Sequence, residues 1–206
     1  MSTRYQSFTF ETAPLWSVVP VGAINRFHWE SGSPFRPNSF FQLCFVKDKG
    51  VFARLWTNET ETRAACSKRD DPVWEDSCLE CFFEPAAGKG YLNVEMNPRS
   101  VFLAQWGKGR EGRMFTKALT ELSPVVSPLP QKTGWGVSLF VPCAMLEALS
   151  GAPFRAMAGD YRFCCFKCGD KTAHPHWASF APMGQNPPGF HAPERFATLL
   201  IREFQP

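Results

Sequence analysis

The chain has 206 residues, of which 44% are hydrophobic, so it is long enough to bury a substantial core. Its 22 basic residues nearly balance its 19 acidic ones, and a net charge of +3 is too small for a protein that relies on attracting nucleic-acid phosphates. No segment has the length and apolar character of a membrane span.

The sequence does not begin with a basic segment followed by an apolar run, which is the pattern of a signal peptide. A signal peptide that had already been removed would leave the same sequence. We therefore expect a cytoplasmic protein that binds neither nucleic acid nor membrane. The sequence indicates no oligomeric state.

Nine segments have the composition of β-strands and are bounded by Gly, Pro, Asn or Asp, which are typical turn residues. Nine strands are enough for two packed sheets. In chain order the segments are SFTFET, FFQLCFV, GVFARLW, SCLECFFEP, YLNVEMNP, VFLAQW, WGVSLFVP, YRFCCFKC and FATLLIREF.

One segment predicts a helix. CAMLEAL, residues 143–149, follows Pro142 and precedes Gly151, and these residue types are typical of helix starts and ends. The sequence contains no internal repeat, low-complexity tract or linker that would divide it. We therefore expect residues 1–206 to form a single domain.

The stretch DDPVWEDSCLECFFEP, residues 70–85, combines carboxylates with aromatic residues and two cysteines. Because side chains alternate along a strand, Leu79, Cys81 and Phe83 point to one side, which is apolar. Glu80 then lies on the opposite, partly polar face with Cys78. The next strand divides more cleanly, and four residues with hydrogen-bonding groups share one of its faces: Tyr91, Asn93, Glu95 and Asn97.

Two C-x-x-C pairs, CLEC and CFKC, have the spacing of zinc ligands. A zinc site needs both sulfurs of a pair to face one ion, whereas an extended strand points Cys78 and Cys81 to opposite faces. CLECFF also lacks a turn residue. We therefore expect the eight cysteines to be mostly buried, reduced thiols rather than zinc ligands.

Two other features leave alternatives open. The histidines of HPHW and GFH could assist Cys168 as a nucleophile or bind a metal with Asp170, which would make a hydrolytic or metal-binding protein. No nucleophile elbow supports an enzyme, so we expect a non-catalytic protein. The basic stretch at residues 105–117, QWGKGREGRMFTK, predicts a hairpin loop with solvated charges.

Several motifs together resemble the carbohydrate-binding module family 9-like domains, relatives of the DOMON superfamily. They are DDPVWEDSCLECFFEP, YLNVEMNP, GKGREGR, WGVSLFVP, FKCGD and PGFHAPERFATLLI, and the resemblance runs from about residue 23 to residue 201. It implies an all-β fold, a sandwich of two antiparallel sheets with an immunoglobulin-like layout and one short helix. It also implies a sugar site rather than an active site, in a protein linked to carbohydrate catabolism.

In that family a sugar ring is clamped between two tryptophan rings, beside carboxylate, amide and basic side chains. Trp74, six residues before Glu80, matches the first ring and its carboxylate, and Trp177 matches the second ring. The further polar partners that the resemblance and the strand phase suggest are Arg63, Asn93, Glu95, Asn97 and Lys167.

The resemblance implies a saccharide, or another small polar ligand, as the partner and requires no cofactor. Family members can carry structural calcium, but no loop here has an obvious calcium-ligand spacing. If Trp74 and Trp177 are instead packing residues, the chain would be a ligand-free interaction domain on the same fold.

Overall fold

A computed structural model describes residues 3–29, 32, 34–184 and 189–205, which form thirteen strands and one α-helix. The strands are β1 (Arg4–Phe10), β2 (Gly22–Ile24), β3 (Ser39–Val46), β4 (Gly50–Thr57), β5 (Cys78–Glu84), β6 (Tyr91–Met96), β7 (Phe102–Gly107), β8 (Met114–Phe115), β9 (Val125–Pro128), β10 (Trp135–Pro142), β11 (Gly159–Cys168), β12 (Trp177–Ser179) and β13 (Ala197–Glu203). The helix α1 spans Cys143–Ser150, and short 3-10 turns lie at Val73–Glu75, Thr116–Ala118 and Pro193–Arg195.

The all-β prediction is confirmed, and each of the nine predicted segments contains a strand. Four strands escaped prediction, namely β2, β8, β9 and β12, and each has between two and four residues. Such short strands carry too few residues for an alternating pattern.

The predicted helix is also confirmed, as α1. Pro142 precedes its first residue, and Gly151 ends it in the left-handed conformation at φ 65°, which favours glycine. Its buried side chains are Cys143, Met145 and Leu146. Among the described residues, no helix combines the length and the apolar character needed to cross a membrane.

The strands form two packed layers, as a sandwich requires. One layer has the order β8-β7-β6-β5-β11-β13, and the other has the order β3-β4-β10-β9. Phenylalanines from the two layers meet in the core, where the ring centroids of Phe41 and Phe163 are 5.6 Å apart and those of Phe45 and Phe83 are 5.8 Å apart. Full burial of each ring stabilises the fold by roughly 1.5–3 kcal/mol.

Strand β1 departs from the expected antiparallel arrangement. It pairs in parallel with β13 through residues 4–9 and in parallel with β3 through Thr9 and Phe10. This strand therefore joins the two layers into one curled, hydrogen-bonded sheet. The alternating pattern of a strand fixes which face is buried but not the direction of its neighbour, so the sequence did not reveal this pairing.

The outer face of β5, β6 and β11 is covered by loops. All six residues of β6 are buried, including its polar ones, although their alternation is typical of a strand with one face in water. The register places Glu80 of β5 opposite both Glu95 of β6 and Phe166 of β11. Residues opposite one another project to the same face, so these three side chains share the covered side of the sheet.

Candidate functional site

A cleft of about 580 Å³ lies over this covered face. Its floor includes strand residues of β5, β6 and β11, and its walls come from four loops. The residues that line it are Trp74, Glu80, Glu95, Arg110, Arg113, Cys168, Asp170, Trp177, Gly189, Phe190 and His191. Ligand pockets of this size, within roughly 300–1,000 Å³, are common.

Both predicted tryptophans line the cleft. Trp74 lies on the 3-10 turn and is 40% exposed, and Trp177 begins β12. Backbone hydrogen bonds join the two loops, because the amide of Asp170 donates to the carbonyl oxygen of Trp74 at 3.2 Å and that of Lys171 donates to Glu75 at 3.1 Å. The indole Nε1 of Trp177 donates to Asp170 Oδ1 at 2.6 Å, which fixes the orientation of the ring.

Two carboxyl groups, Glu80 and Glu95, lie side by side at the floor and are almost completely buried. Burial raises the pKa of Glu95 to about 7, against the opposing effect of the Arg113 charge. Burial also raises the pKa of Glu80 well above its usual range, and the neighbouring charge of Glu95 adds to the shift. Asn93 Nδ2 donates to Glu95 Oε1 at 3.0 Å, whereas Oε2 of Glu95 has no partner among the described residues.

Arginines supply the positive charge of the cleft. Arg113 donates from Nε to Gln105 Oε1 at 3.1 Å and from Nη1 to the carbonyl oxygen of Arg110 at 3.0 Å. These bonds hold the Arg113 side chain in one orientation along the cleft wall. The wall therefore offers N–H donors opposite the acceptors of the carboxyl groups.

Aromatic rings form the remaining wall. Phe190 stacks on Phe166 with 4.2 Å between ring centroids, and His191 stacks on Phe82 at 4.8 Å. His191 Nδ1 and the hydroxyl of Tyr91 share a hydrogen bond of 2.8 Å. Burial, helped by the nearby guanidinium charges, lowers the pKa of His191 to about 3, so this ring is neutral at physiological pH.

Arg63 and Asn97, which the sequence interpretation placed at the site, are not among the residues that line the cleft. Both contact Asp76 instead: Arg63 Nε lies 3.4 Å from Asp76 Oδ1, and Asn97 Nδ2 donates to Asp76 Oδ2 at 3.0 Å. Asp76 also accepts the backbone amides of Ala65 and Cys66 at 2.9 Å each. This cluster holds the loop that precedes β5.

Lys167 is not at the cleft either, because it points to the opposite face of the sheet. It lies opposite Leu79 in the ladder and is fully buried, with Nζ 3.0 Å from Glu59 Oε2 and 2.8 Å from His176 Nε2. Strand phase alone cannot show which face of β11 meets the cleft without the register, so it could not separate Lys167 from the site. Asn93 supports Glu95 rather than lining the cleft.

The sequence interpretation did not assign Arg110 and Arg113 to the site. It predicted a solvated charge run at residues 105–117, whereas both arginines line the cleft. One sequence signal could have identified them: the basic loop follows the predicted strand VFLAQW, which comes directly after the polar strand YLNVEMNP, and consecutive strands usually lie next to each other. Asp170 and His191, considered only for a thiol or metal alternative, also line the cleft.

The cysteine geometry agrees with part of the expectation. Cys78 and Cys81 belong to different core clusters and do not converge on one ion. However, the ladder places Cys78 directly opposite Cys168, and their sulfurs lie with a carboxylate oxygen of Glu80 within 4.8 Å of one another. These three side chains, all within the described residues, could together hold a metal ion.

The chain is similar to known carbohydrate-binding proteins. The family described as Carbohydrate-binding family 9 matches residues 15–201. A presumed carbohydrate-binding protein of Bacteroides uniformis has a structure with a TM-score of 0.80 at 22% identity, covering 98% of this chain and 100% of its own. No curated protein matches the sequence significantly.

Two further solved structures are of a family 9 carbohydrate-binding module from Caldicellulosiruptor kristjanssonii. The complex with glucose has a TM-score of 0.71 at 11% identity and covers 98% of this chain and 97% of its own. The complex with cellotriose has a TM-score of 0.66 at 10% identity and covers 100% of this chain and 95% of its own. At these identities the likeness establishes the fold.

Proposed function

Because the chain belongs to carbohydrate-binding family 9, we propose that it is a non-catalytic carbohydrate-binding domain. A single sugar ring lies between the indoles of Trp74 and Trp177 in this proposal. The observation that carries it is that Trp74 and Glu80 line one cleft together with Trp177, which is distant from them in the sequence. The solved family 9 neighbours contain glucose or cellotriose, which supports a saccharide as the ligand.

The chemistry of the cleft suits a pyranose. The faces of a sugar ring present C–H groups, and flat indoles cover such surfaces with large apolar area. The hydroxyl groups around the ring each donate and accept, so they need both kinds of partner. Carboxyl oxygens of Glu80 and Glu95 and the guanidinium of Arg113 supply both kinds.

The two indoles contribute unequally in this proposal. The Nε1 of Trp177 is bonded to Asp170, so its ring is already oriented before the ligand arrives and loses little freedom on binding. Trp74 is 40% exposed, and a sugar ring would cover part of that surface. We therefore assign the rigid side of the clamp to Trp177.

Calorimetric titration with glucose and with cellotriose tests this function. We expect Trp177→Ala to weaken saccharide binding by about 30-fold, the effect of losing about 2 kcal/mol at a hot spot. Trp16→Ala is the matched control, because Trp16 is also partly buried but does not line the cleft. Its ring instead contacts Arg54, whose guanidinium carbon lies 4.2 Å from the ring centroid. The Trp16→Ala variant should bind like the wild type.

Unchanged binding in Trp177→Ala would contradict the proposal. If Trp177→Ala unfolds, Trp177→Phe keeps part of the packing, and it should fold with weaker binding. A Trp177→Phe variant that is folded and binds fully would identify the ring as a packing residue.

We also propose that the domain acts in polysaccharide breakdown inside the cytoplasm. The oligosaccharide cellotriose in a solved neighbour supports the first part. All eight cysteines are free thiols, and most are buried, which supports a reducing compartment. Cell fractionation of a tagged copy, with its free thiols counted before any reductant is added, tests the compartment. We expect the protein in the cytoplasmic fraction with all eight thiols free.

A further inference from the structure

Three side chains at the floor of the cleft have the donor set of a transition-metal site. Cys78, Glu80 and Cys168 each offer one ligand atom, and these atoms all lie within 4.8 Å of one another. All three residues are buried. We propose that Cys78, Glu80 and Cys168 bind one zinc ion at the floor of the cleft.

The sheet itself positions these ligands. Cys78 and Cys168 are direct partners in the antiparallel ladder between β5 and β11, and Glu80 lies two residues further along the same face. Cys168 Sγ is 2.9 Å from Glu80 Oε1, so the two donor atoms are already adjacent. Because a hydrogen-bonded ladder fixes the register, no loop has to close to assemble the site.

The kinds of donor atom select the metal. Two sulfurs and one carboxylate oxygen suit zinc, which accepts mixed sulfur and oxygen ligands in a tetrahedral arrangement. Calcium and magnesium require oxygen ligands, so the two thiolates disfavour them. Three protein ligands leave a fourth position, and this position faces the cleft because Glu80 and Cys168 both line it.

The surroundings support the charge of such a site. Two thiolates and a carboxylate carry three negative charges, of which a zinc ion compensates two. The guanidinium of Arg113, which lines the same cleft and acts electrostatically on Glu80, supplies a further positive charge. The protons of the thiols and of the carboxyl group pass to solvent when the metal binds.

The proposed site differs from the two C-x-x-C pairs in the sequence. It takes one cysteine from each pair, because the ladder brings Cys78 and Cys168 together on the outer face. The remaining two cysteines, Cys81 and Cys165, are also direct ladder partners but lie on the inner face. They provide a matched control pair on the same two strands.

Cobalt is the probe, because thiolate-to-cobalt charge-transfer absorption reports sulfur ligation directly. The metal-free, fully reduced protein is titrated with Co²⁺ in a Cys66→Ser background, since Cys66 is the partly exposed thiol. We expect a saturable charge-transfer band at one Co²⁺ per chain, which Zn²⁺ abolishes by displacement.

Variants locate the ligands. Cys78→Ser and Cys168→Ser should each remove most of the thiolate absorption. Glu80→Gln should keep it and lower the Zn²⁺ affinity by at least the roughly tenfold that is typical of losing even an outer-shell partner. Cys81→Ser and Cys165→Ser should keep both the band and its stoichiometry. Circular dichroism spectra identify variants that fail to fold.

If the folded, reduced Cys66→Ser protein shows no cobalt charge-transfer band, the metal site is overturned, and this result does not depend on whether the other variants fold. A band that survives Cys168→Ser but disappears in Cys165→Ser would also overturn it. Saccharide binding is measured separately in the chelator-treated protein. Sugar binding without any cobalt band would reject the zinc site and leave the proposed function standing.

Discussion

Asp170 holds the indole of Trp177 through a hydrogen bond of 2.6 Å from Nε1 to Oδ1. Because this bond orients a ring that we propose to stack on sugar, Asp170 acts as a positioning residue. We expect Asp170→Ala to weaken saccharide binding about tenfold, which corresponds to a charge-assisted hydrogen bond of about 1.5 kcal/mol. Calorimetry with cellotriose measures the change.

The conservative variant separates orientation from charge. Asp170→Asn keeps an acceptor oxygen for Nε1 and should recover most of the binding lost in Asp170→Ala. If both variants bind like the wild type, the orientation of Trp177 does not depend on Asp170.

His191 gives the fold a specific sensitivity to acid. Its pKa is lowered to about 3 in the folded protein, whereas an unfolded histidine has a pKa near 6.5. Below pH 6.5 the unfolded chain therefore binds a proton that the folded chain rejects, and stability falls as the pH drops towards 3. His191→Gln should remove about 2 kcal/mol of this loss between pH 7 and pH 5.

Urea unfolding at the two pH values measures this effect. The amide of His191→Gln carries both a donor and an acceptor, so it can still share a hydrogen bond with the Tyr91 hydroxyl in either direction, and the comparison isolates the titration of the ring. Some acid sensitivity should remain, since the pKa of His176 is also lowered, to about 4, by burial and by the charge of Lys167. His174→Gln, at an exposed position, is the control. An unchanged slope in His191→Gln would contradict the prediction.

The sequence identifies part of the residues that line the cleft. The family resemblance pointed to Trp74, Glu80 and Trp177, which line one cleft, and their role in binding stays a prediction. Strand phase added Glu95 correctly to the same face, but it could not separate Lys167, whose face depends on the ladder register. Arg113 was missed because a basic hairpin loop in a sequence is usually solvated.

At the scale of the elements, a buried ion pair ties the loops behind the cleft to the sandwich. Glu59 Oε2 lies 3.0 Å from Lys167 Nζ and accepts from Trp135 Nε1 at 3.0 Å, and Glu59 Oε1 accepts from the hydroxyl of Ser77 at 3.0 Å. The partners lie on β10, β11 and the residue preceding β5, so one carboxylate connects segments from both layers.

Removing one charge of this pair leaves the other buried without compensation. We expect Glu59→Gln to lower the free energy of unfolding by about 3–5 kcal/mol, and Lys167→Met to have a comparable effect. Urea unfolding followed by circular dichroism measures both variants. The double variant should recover part of the loss, because no unpaired charge remains.

An exposed pair gives the control for that series. Lys47 Nζ lies 3.3 Å from Glu11 Oε1, but both side chains are largely in water, and Glu11→Gln should change stability little. If Glu59→Gln is no more destabilising than Glu11→Gln, the buried pair does not stabilise the fold.

The strands and the helix were largely predictable because their signals are local. Strand-like composition and bounding turn residues identified nine strands, and a proline and a glycine identified α1. The short strand β12 carries Trp177 at the cleft and was missed, since three residues show no periodicity. Its position comes from pairing with β11, which is a long-range property.

At the scale of the whole molecule, β1 joins two layers that the sequence pattern predicts as separate sheets. Its parallel pairing with β13 brings the first and last strands together at the junction. The direction in which two strands pair depends on the path of the chain rather than on side-chain alternation. The resemblance therefore predicted the sandwich but not the parallel pairing of β1. The expectation of a single domain over residues 1–206 stays a prediction.

The indole N–H signals of ¹⁵N-labelled protein show whether a sugar ring lies between Trp74 and Trp177. The chain has seven tryptophans, so each indole reports on its own surroundings. During titration with glucose, cellotriose and a panel of other mono- and disaccharides, we expect saturable shifts that are largest for Trp74 and Trp177. No saturable shift with any saccharide, or the largest shifts at Trp16 and Trp56 outside the cleft, would contradict it.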